Sequence, residues 1–202
     1  MELEVKGNRI KFEKELSGLD KLVIKFTKIL DSQKIDYVII SGYIAIFFGR
    51  SRHTEDVDLF IEEMNYKKFE EFWNALNEKG FECINSSNPK DAFEYLEEQL
   101  ALRFAEKGFF QPNFELKFPK TKYNKYSLKN KVEVILNSEK LLTSELELQI
   151  AFKLYLSSDK DFEDAKHLYK IFKEHLDMNL LKKQISELNV EKQAEKVLWE
   201  KD

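Results

Sequence analysis

Ser41-Gly42-Tyr43-Ile44-Ala45-Ile46-Phe47-Phe48-Gly49-Arg50-Ser51-Arg52-His53-Thr54-Glu55-Asp56-Val57-Asp58 is the stretch on which the reading of this chain turns. It holds two of the six glycines, two of the four arginines and one of the three histidines. Just before it, the apolar run Tyr37-Val38-Ile39-Ile40 predicts a short strand ending at Ser41-Gly42. Ile44 to Phe48 follows too closely for a second strand and predicts a buried helix leaving the turn. Val57 to Ile61 predicts the next strand, bounded by the acids Asp56 and Glu62. Residues i and i+2 of a strand share a face, so Asp56 and Asp58 point the same way. Neighbouring carboxylates repel unless a cation lies between them. Hard oxygen ligands suit Mg²⁺ or Mn²⁺; Mg²⁺ typically reaches a protein through one or two carboxylates and a substrate's phosphates.

An acidic pair alone reads first as an exposed strand end and only second as a metal site. Its surroundings add phosphate chemistry. Gly42 lets backbone N–H groups approach a phosphate, and a helix start adds partial positive charge. The guanidinium groups of Arg50 and Arg52 match phosphate oxygens, and Thr54 can donate to them. The combined string is read as a nucleotide site at Ser41, Gly42, Arg50, Arg52 and Thr54, with a metal on Asp56 and Asp58. The plain alternative is a structural turn with surface arginines.

Toward the N-terminus, Leu3 to Leu16 alternates around Lys6-Gly7-Asn8-Arg9 and predicts a hairpin. Ser17 is a plausible N-cap for a helix from Gly18 to about Gln33, with Leu19, Leu22, Val23, Phe26, Ile29 and Leu30 on one face. Toward the C-terminus, Lys67 to Lys79 predicts a helix stopped by Gly80, and Phe81 to Ile84 a strand. Asn85 to Lys90 reads as loop and Asp91 to Glu106 as helix. Phe114 to Phe118 predicts a strand on which Glu115 faces away from the apolar side. Phe118 to Tyr126 mixes lysines with tyrosines, as a solvated loop or a nucleic-acid-binding one would. Lys131 to Leu136 and Lys140 to Thr143 predict a hairpin. Ser144 and Glu147 have capping-box spacing, and everything after them reads as helix. The expected architecture is mixed α/β (α+β), with an α/β domain over 1–143 and a helical region over 144–202.

The Gly-marked turn, Gly49-Arg50-x-Arg52-x-Thr54 and Asp56-x-Asp58 together resemble the polymerase-β-type nucleotidyltransferase superfamily, with closest resemblance to its AbiEii-like branch. That branch includes toxins of type IV toxin–antitoxin systems. The resemblance spans roughly Tyr37 to Phe172. Leu146 to Leu154 resembles the branch's helix with a functional lysine, here Lys153. Lys160-Asp161-Phe162-Glu163-Asp164 resembles its following Lys/Arg-Asp-x-x-Asp segment. The superfamily turn is usually Gly-Gly or Gly-Ser, whereas this chain has Ser41-Gly42-Tyr43.

The resemblance implies a minimal mixed sheet flanked by helices, with a C-terminal helical bundle completing a cleft. It implies Mg²⁺ or Mn²⁺, two ions in the full form, on Asp56 and Asp58. It implies a third carboxylate as base or second-metal ligand, with Glu115 first and Glu133 second. Lys153 and Asp161 join the catalytic set, and Lys153 also reaches the nucleotide. Read alone, Lys153 is one of 29 lysines, and Asp161 and Asp164 could be helix N-terminal charges.

The activity implied is transfer of a nucleoside monophosphate from a nucleoside triphosphate to an RNA or tRNA end, a protein hydroxyl or a small molecule. A toxin–antitoxin partner is implied as well. The alternatives are a non-catalytic nucleotide-binding regulator and a helical scaffold.

Composition bounds these readings. The chain has 202 residues, 43% of them hydrophobic, enough for a core and about one domain. The net charge of −4 argues against a tail-driven nucleic-acid binder. The single cysteine, Cys83, excludes an internal disulfide framework and a cysteine-based zinc site, and reads as a small core residue. His53 could touch substrate or sit in a turn, while His167 and His175 read as surface or capping residues. With no apolar run near ~18 residues and no signal-peptide pattern, a soluble cytoplasmic protein is expected.

Overall fold

The structure, a computed structural model, describes residues 2–199. Residue 1 and residues 200–202, the outermost parts of the two expected segments, lie outside the described residues. The strands are β1 (Leu3–Lys6), β2 (Arg9–Phe12), β3 (Tyr37–Ile40), β4 (Asp56–Ile61), β5 (Phe81–Cys83), β6 (Leu102–Glu106), β7 (Asn113–Lys117), β8 (Lys131–Leu136) and β9 (Glu139–Ser144). They form one mixed sheet in the order β1-β2-β8-β9-β3-β4-β7-β6-β5. The helices are α1 (Gly18–Ser32), α2 (Gly42–Phe47), α3 (Tyr66–Glu78), α4 (Pro89–Glu97), α5 (Lys122–Lys129), α6 (Leu146–Leu156), α7 (Asp159–Phe172), α8 (Met178–Glu187) and α9 (Glu191–Ala194). No helix among the described residues is long and apolar enough to cross a membrane.

Local chemistry explains most of these elements. Ser17 and Asp20 form a reciprocal capping box at the start of α1. The apolar face of α1 then meets the sheet, where Phe26 stacks on Phe114 at 3.9 Å between ring centroids. Asn137 and Ser138 both take positive φ, 48° and 77°, and make the two-residue turn that suits the twist of the β8–β9 hairpin. Helix α6 is buried nearly all round, because α7 and α8 pack against it. Phe48, just after α2, meets Phe172 of α7 edge to face at 4.7 Å.

Four expectations fail. Asp91 to Glu106 is not one helix. Helix α4 starts earlier, capped by Asn88 with Pro89 in its first turn, and Leu102–Glu106 is strand β6. Pairing with β5 and β7 decides the second half, a tertiary effect that local propensity does not carry. Phe118 to Tyr126 is not a loop throughout, because Thr121 and Asn124 form a capping box that starts α5. Ser144 does not cap α6. It ends β9, and its hydroxyl donates to Gln149 at 3.1 Å. Glu147 accepts the backbone N–H of Asp177 at 2.7 Å instead. The helical tail is also interrupted, with Ser157 in the left-handed region after α6.

Asp20 links helix start to site. Its buried carboxylate accepts from Ser17, from the Tyr43 hydroxyl of α2 at 2.8 Å and from Lys14 at 3.1 Å. Burial opposes its charge, but these donors outweigh burial and hold its carboxyl below the ordinary value. A lowered carboxyl pKa contributes stability above the unfolded value of about 3.9, lost as pH falls through the folded value. Asp20→Ala should cost about 3 kcal/mol at neutral pH. Urea unfolding at pH 7 and pH 3 checks this, with the deficit shrinking at the lower pH.

Candidate active site

Strand β4 runs parallel to β7 in a register that pairs Asp56 with Asn113, Asp58 with Glu115 and Phe60 with Lys117. Val57 and Leu59, like Phe114 and Leu116, are fully buried, so alternation puts Asp56, Asp58, Glu115 and Lys117 on the opposite face. Glu115 is thus the carboxylate next to the acidic pair. Glu133 is not: it lies on β8, separated from β4 by β9 and β3, and pairs with Arg9 at 2.6 Å.

The Lys117 ammonium lies 3.2 Å from Asp58 and 2.9 Å from Glu115. The other oxygen of Glu115 accepts from Arg103 of β6 at 2.7 Å. Burial raises the Asp58 carboxyl, with Lys117 opposing and Asp56 and Glu115 reinforcing the shift. For Glu115, burial pushes upward, yet Lys117 and Arg103 outweigh it and hold the carboxyl below its ordinary range. A carboxylate with both oxygens ion-paired and a lowered pKa is a weak base.

The turn after β3 rests on a strained backbone. The positive φ falls on Ser41, at φ 67° and ψ −141°, a region almost reserved for glycine. Gln149 of α6 holds this backbone from both sides. Its amide donates to the Ser41 carbonyl at 2.8 Å, and its oxygen accepts the Ser41 N–H at 3.3 Å. Gly42 has ordinary φ, and its reason is space: a Cβ there would meet Nη2 of Arg52 at 2.4 Å.

Arg50, Arg52 and Lys153 all converge on Asp164 of α7, a carboxylate with no solvent exposure. Arg52 donates to it at 2.6 Å and Lys153 lies at 2.9 Å. Arg50 also donates to Glu163 and to the Lys160 carbonyl, the latter at 2.9 Å. Lys153 also meets Asp161 at 2.6 Å. Asp161 pairs with Ser158 at the start of α7, so it is helix cap and lysine partner together. Nε of Arg52 is buried without a hydrogen-bond partner. Thr54 donates to the Asp56 carbonyl at 3.0 Å, which makes it a turn former.

A cavity of about 270 Å³ lies between β3, β4, α5 and α6. Asp58, Lys117, Ser41 and Lys153 line it together, so residues more than 100 positions apart share one wall system. Tyr123, Asn124 and Ser127 of α5 add polar groups, while Phe60, Leu148 and Phe152 add apolar surface. Sequence reasoning missed Lys117, Arg103, Gln149 and the α5 residues. The Thr121-x-x-Asn124 spacing was the available signal for α5; nothing marked Gln149. His53 and His175 are exposed, His167 contacts the Phe48 carbonyl at 3.1 Å, and Cys83 sits away from the cavity in β5.

Among the described residues, no three His, Cys, Asp or Glu side chains are grouped to hold a metal ion. The donor set fits one divalent ion on Asp56 and Asp58 completed by substrate phosphates, the usual mode for Mg²⁺.

Residues 20–112 match a family model described as "Nucleotidyl transferase of unknown function (DUF2204)". No curated protein matches the sequence. Among solved structures, an antigenic nucleotidyltransferase-like protein from Paracoccidioides brasiliensis is 18% identical, with a TM-score of 0.53 over 88% of this chain and 90% of that one. ANT(2")-Ia, crystallised with adenylyl-2"-tobramycin, is 10% identical, with a TM-score of 0.58 over 86% and 98%. The lincosamide antibiotic adenylyltransferase LnuA, lincomycin-bound, is 12% identical, with a TM-score of 0.51 over 78% and 99%. The mixed α/β architecture matches nucleotidyltransferase-like folds. The family-model match spans less than half of the chain, and the likeness to the solved structures is one of fold.

Ser41→Gly should stabilise the protein by about 1 kcal/mol, because it removes the strained φ at some cost in chain entropy. Gln149→Leu should destabilise the native protein by about 2 kcal/mol and less in the Ser41→Gly background. A double-mutant cycle in urea measures that coupling.

Proposed function

We propose that this chain is a metal-dependent nucleotidyltransferase acting on a small molecule. The observation that carries the reading is the pair Asp56 and Asp58 on one face of β4, with Asp58 and Lys153 lining one cavity beside the Ser41 turn. The triphosphate is held with its phosphates toward Arg52, which has donor capacity left over, and toward Lys153. Mg²⁺ or Mn²⁺ on Asp56 and Asp58 supplies the charge that draws the phosphates to β4.

The acceptor occupies the cavity, with Tyr123, Asn124 and Ser127 orienting its polar groups and Phe60 and Phe152 covering its body. Its hydroxyl oxygen forms the new bond to the α-phosphorus, the bond to the bridging oxygen breaks, and pyrophosphate leaves. Arg52 and Lys153 neutralise the charge that develops on that leaving group. The net reaction releases one proton to solvent. Glu115, the expected base, acts here through its ion pairs, because both oxygens are taken. Helix α6 forms the second wall of the cleft, with the helical unit over 144–202 read as completing the α/β unit over 1–143.

The cavity's size, about 270 Å³, favours a small acceptor over an RNA end or a protein hydroxyl. The neighbours ANT(2")-Ia, in complex with adenylyl-2"-tobramycin, and the lincomycin-bound adenylyltransferase LnuA add to that support. Membership of the AbiEii-like branch, with a toxin–antitoxin partner, rests on Lys153 and the Lys160–Asp164 segment. A second reading is a nucleotide-binding regulator without turnover. It is favoured by the pairing of Arg50, Arg52 and Lys153 with the carboxylates of α7, which leaves less free charge for a phosphate.

The test uses the four nucleoside triphosphates labelled at the α-phosphate, with Mg²⁺ or Mn²⁺. The acceptors are tobramycin, lincomycin, total RNA and a cell lysate. Transfer of label to a small molecule is expected, and Asp58→Asn should reduce it at least about a hundredfold while the chain stays folded. Label entering RNA or protein instead would redirect the acceptor. Tight triphosphate binding by calorimetry with no transfer would establish the regulator.

A further inference from the structure

Strand β7 offers Glu115 and Lys117 on the face it shares with Asp58. In two-ion sites of phosphoryl transfer, paired metals about 4 Å apart share carboxylates between them. Here the position between Asp58 and Glu115 is taken. The Lys117 ammonium stands 3.2 Å from an oxygen of Asp58 and 2.9 Å from an oxygen of Glu115, bridging them as a cation would. The remaining oxygen of Glu115 faces Arg103 at 2.7 Å, so both of its oxygens are committed within the chain. Glu115 is largely buried, which keeps water from competing for these contacts.

We infer that Lys117 holds the place of a second divalent cation, so that the site takes one metal ion, on Asp56 and Asp58. The inference rests on the metal-dependent reading given above. The charge count agrees with it. Asp56, Asp58 and Glu115 contribute three negative charges, Lys117 and Arg103 two positive ones, and the difference leaves one negative charge for an incoming cation. A second divalent ion between Asp58 and Glu115 would stand at contact distance from the ammonium, with like charges repelling in a half-buried setting. The backbone enforces the arrangement, because Glu115 and Lys117 are i and i+2 on one strand and cannot face apart. A lysine tethered to the sheet is always present at full occupancy, whereas a free second ion depends on its concentration.

Counting bound Mn²⁺ on the full chain by electron paramagnetic resonance tests this, with Mn²⁺ alone as the probe. The wild-type chain should bind one Mn²⁺, and Lys117→Met should bind two. Lys117→Gln, of similar length and polar, is measured beside it in case the methionine variant fails to fold, and should also bind two. Lys117→Arg, which keeps the charge, should stay at one. Adding Glu115→Gln to Lys117→Met should return the count to one. Two ions in the wild type, or one in both Lys117→Met and Lys117→Gln, would overturn the inference while leaving a metal-dependent enzyme standing. No bound Mn²⁺ in any form would overturn the metal-dependent reading itself, and this inference with it.

Discussion

Asp164 is the fixed point of the molecule. A carboxylate with no solvent exposure survives in a protein only if its charge is met, and here three cations meet it. Two of them, Arg50 and Arg52, come from the connection between α2 and β4. The third, Lys153, comes from α6. The charge on one helix therefore fixes the connection that leads into Asp56 and the helix that carries Gln149. Arg52 crosses Gly42 on its way to Asp164, which is why that position has no side chain. Helix packing, turn geometry and cavity wall all answer to this one buried charge.

Fold and site were legible in the sequence to different depths. The strand–turn–helix–strand run from Tyr37 to Ile61 could be read because apolar runs and turn residues alternate there without competing signals. The hairpins and α1 were readable for the same reason. Residues 91–106 were not, because β6 gains its identity only from lying between β5 and β7. Within the site, the acidic pair could be read because a strand's period of two is certain once the strand is known. The partners of those acids could not. Whether Lys117 bridges Asp58 and Glu115, or Lys153 meets Asp164 instead of water, depends on strand register and helix packing over long separations. Among 29 lysines, Lys153 was marked only by the family resemblance and Lys117 by nothing.

The turn shows how one substitution moves a constraint elsewhere. With serine at the position of positive φ, the backbone cannot rest in its conformation unaided, and the side chain of Gln149 supplies two hydrogen bonds that oppose relaxation. Ser144 in turn fixes Gln149. A conformation that glycine could adopt without support here rests on a chain of contacts between the end of β3, the end of β9 and α6.

The long reach of these contacts bears on how the protein is born. A ribosome delivers Ser41 more than a hundred residues before Gln149, and Arg50 and Arg52 more than a hundred before Asp164. During that interval the arginines have no buried counter-charge, and the turn has nothing to hold its unfavourable backbone. The α/β part can pair its early strands as they emerge, but the cavity lacks a wall until α6 has been made and docked, and the arginines lack their counter-charge until α7 follows. The nascent protein therefore spends most of its synthesis with its chemistry unassembled, and an incomplete chain that ends before residue 164 carries the acidic pair without the site around it.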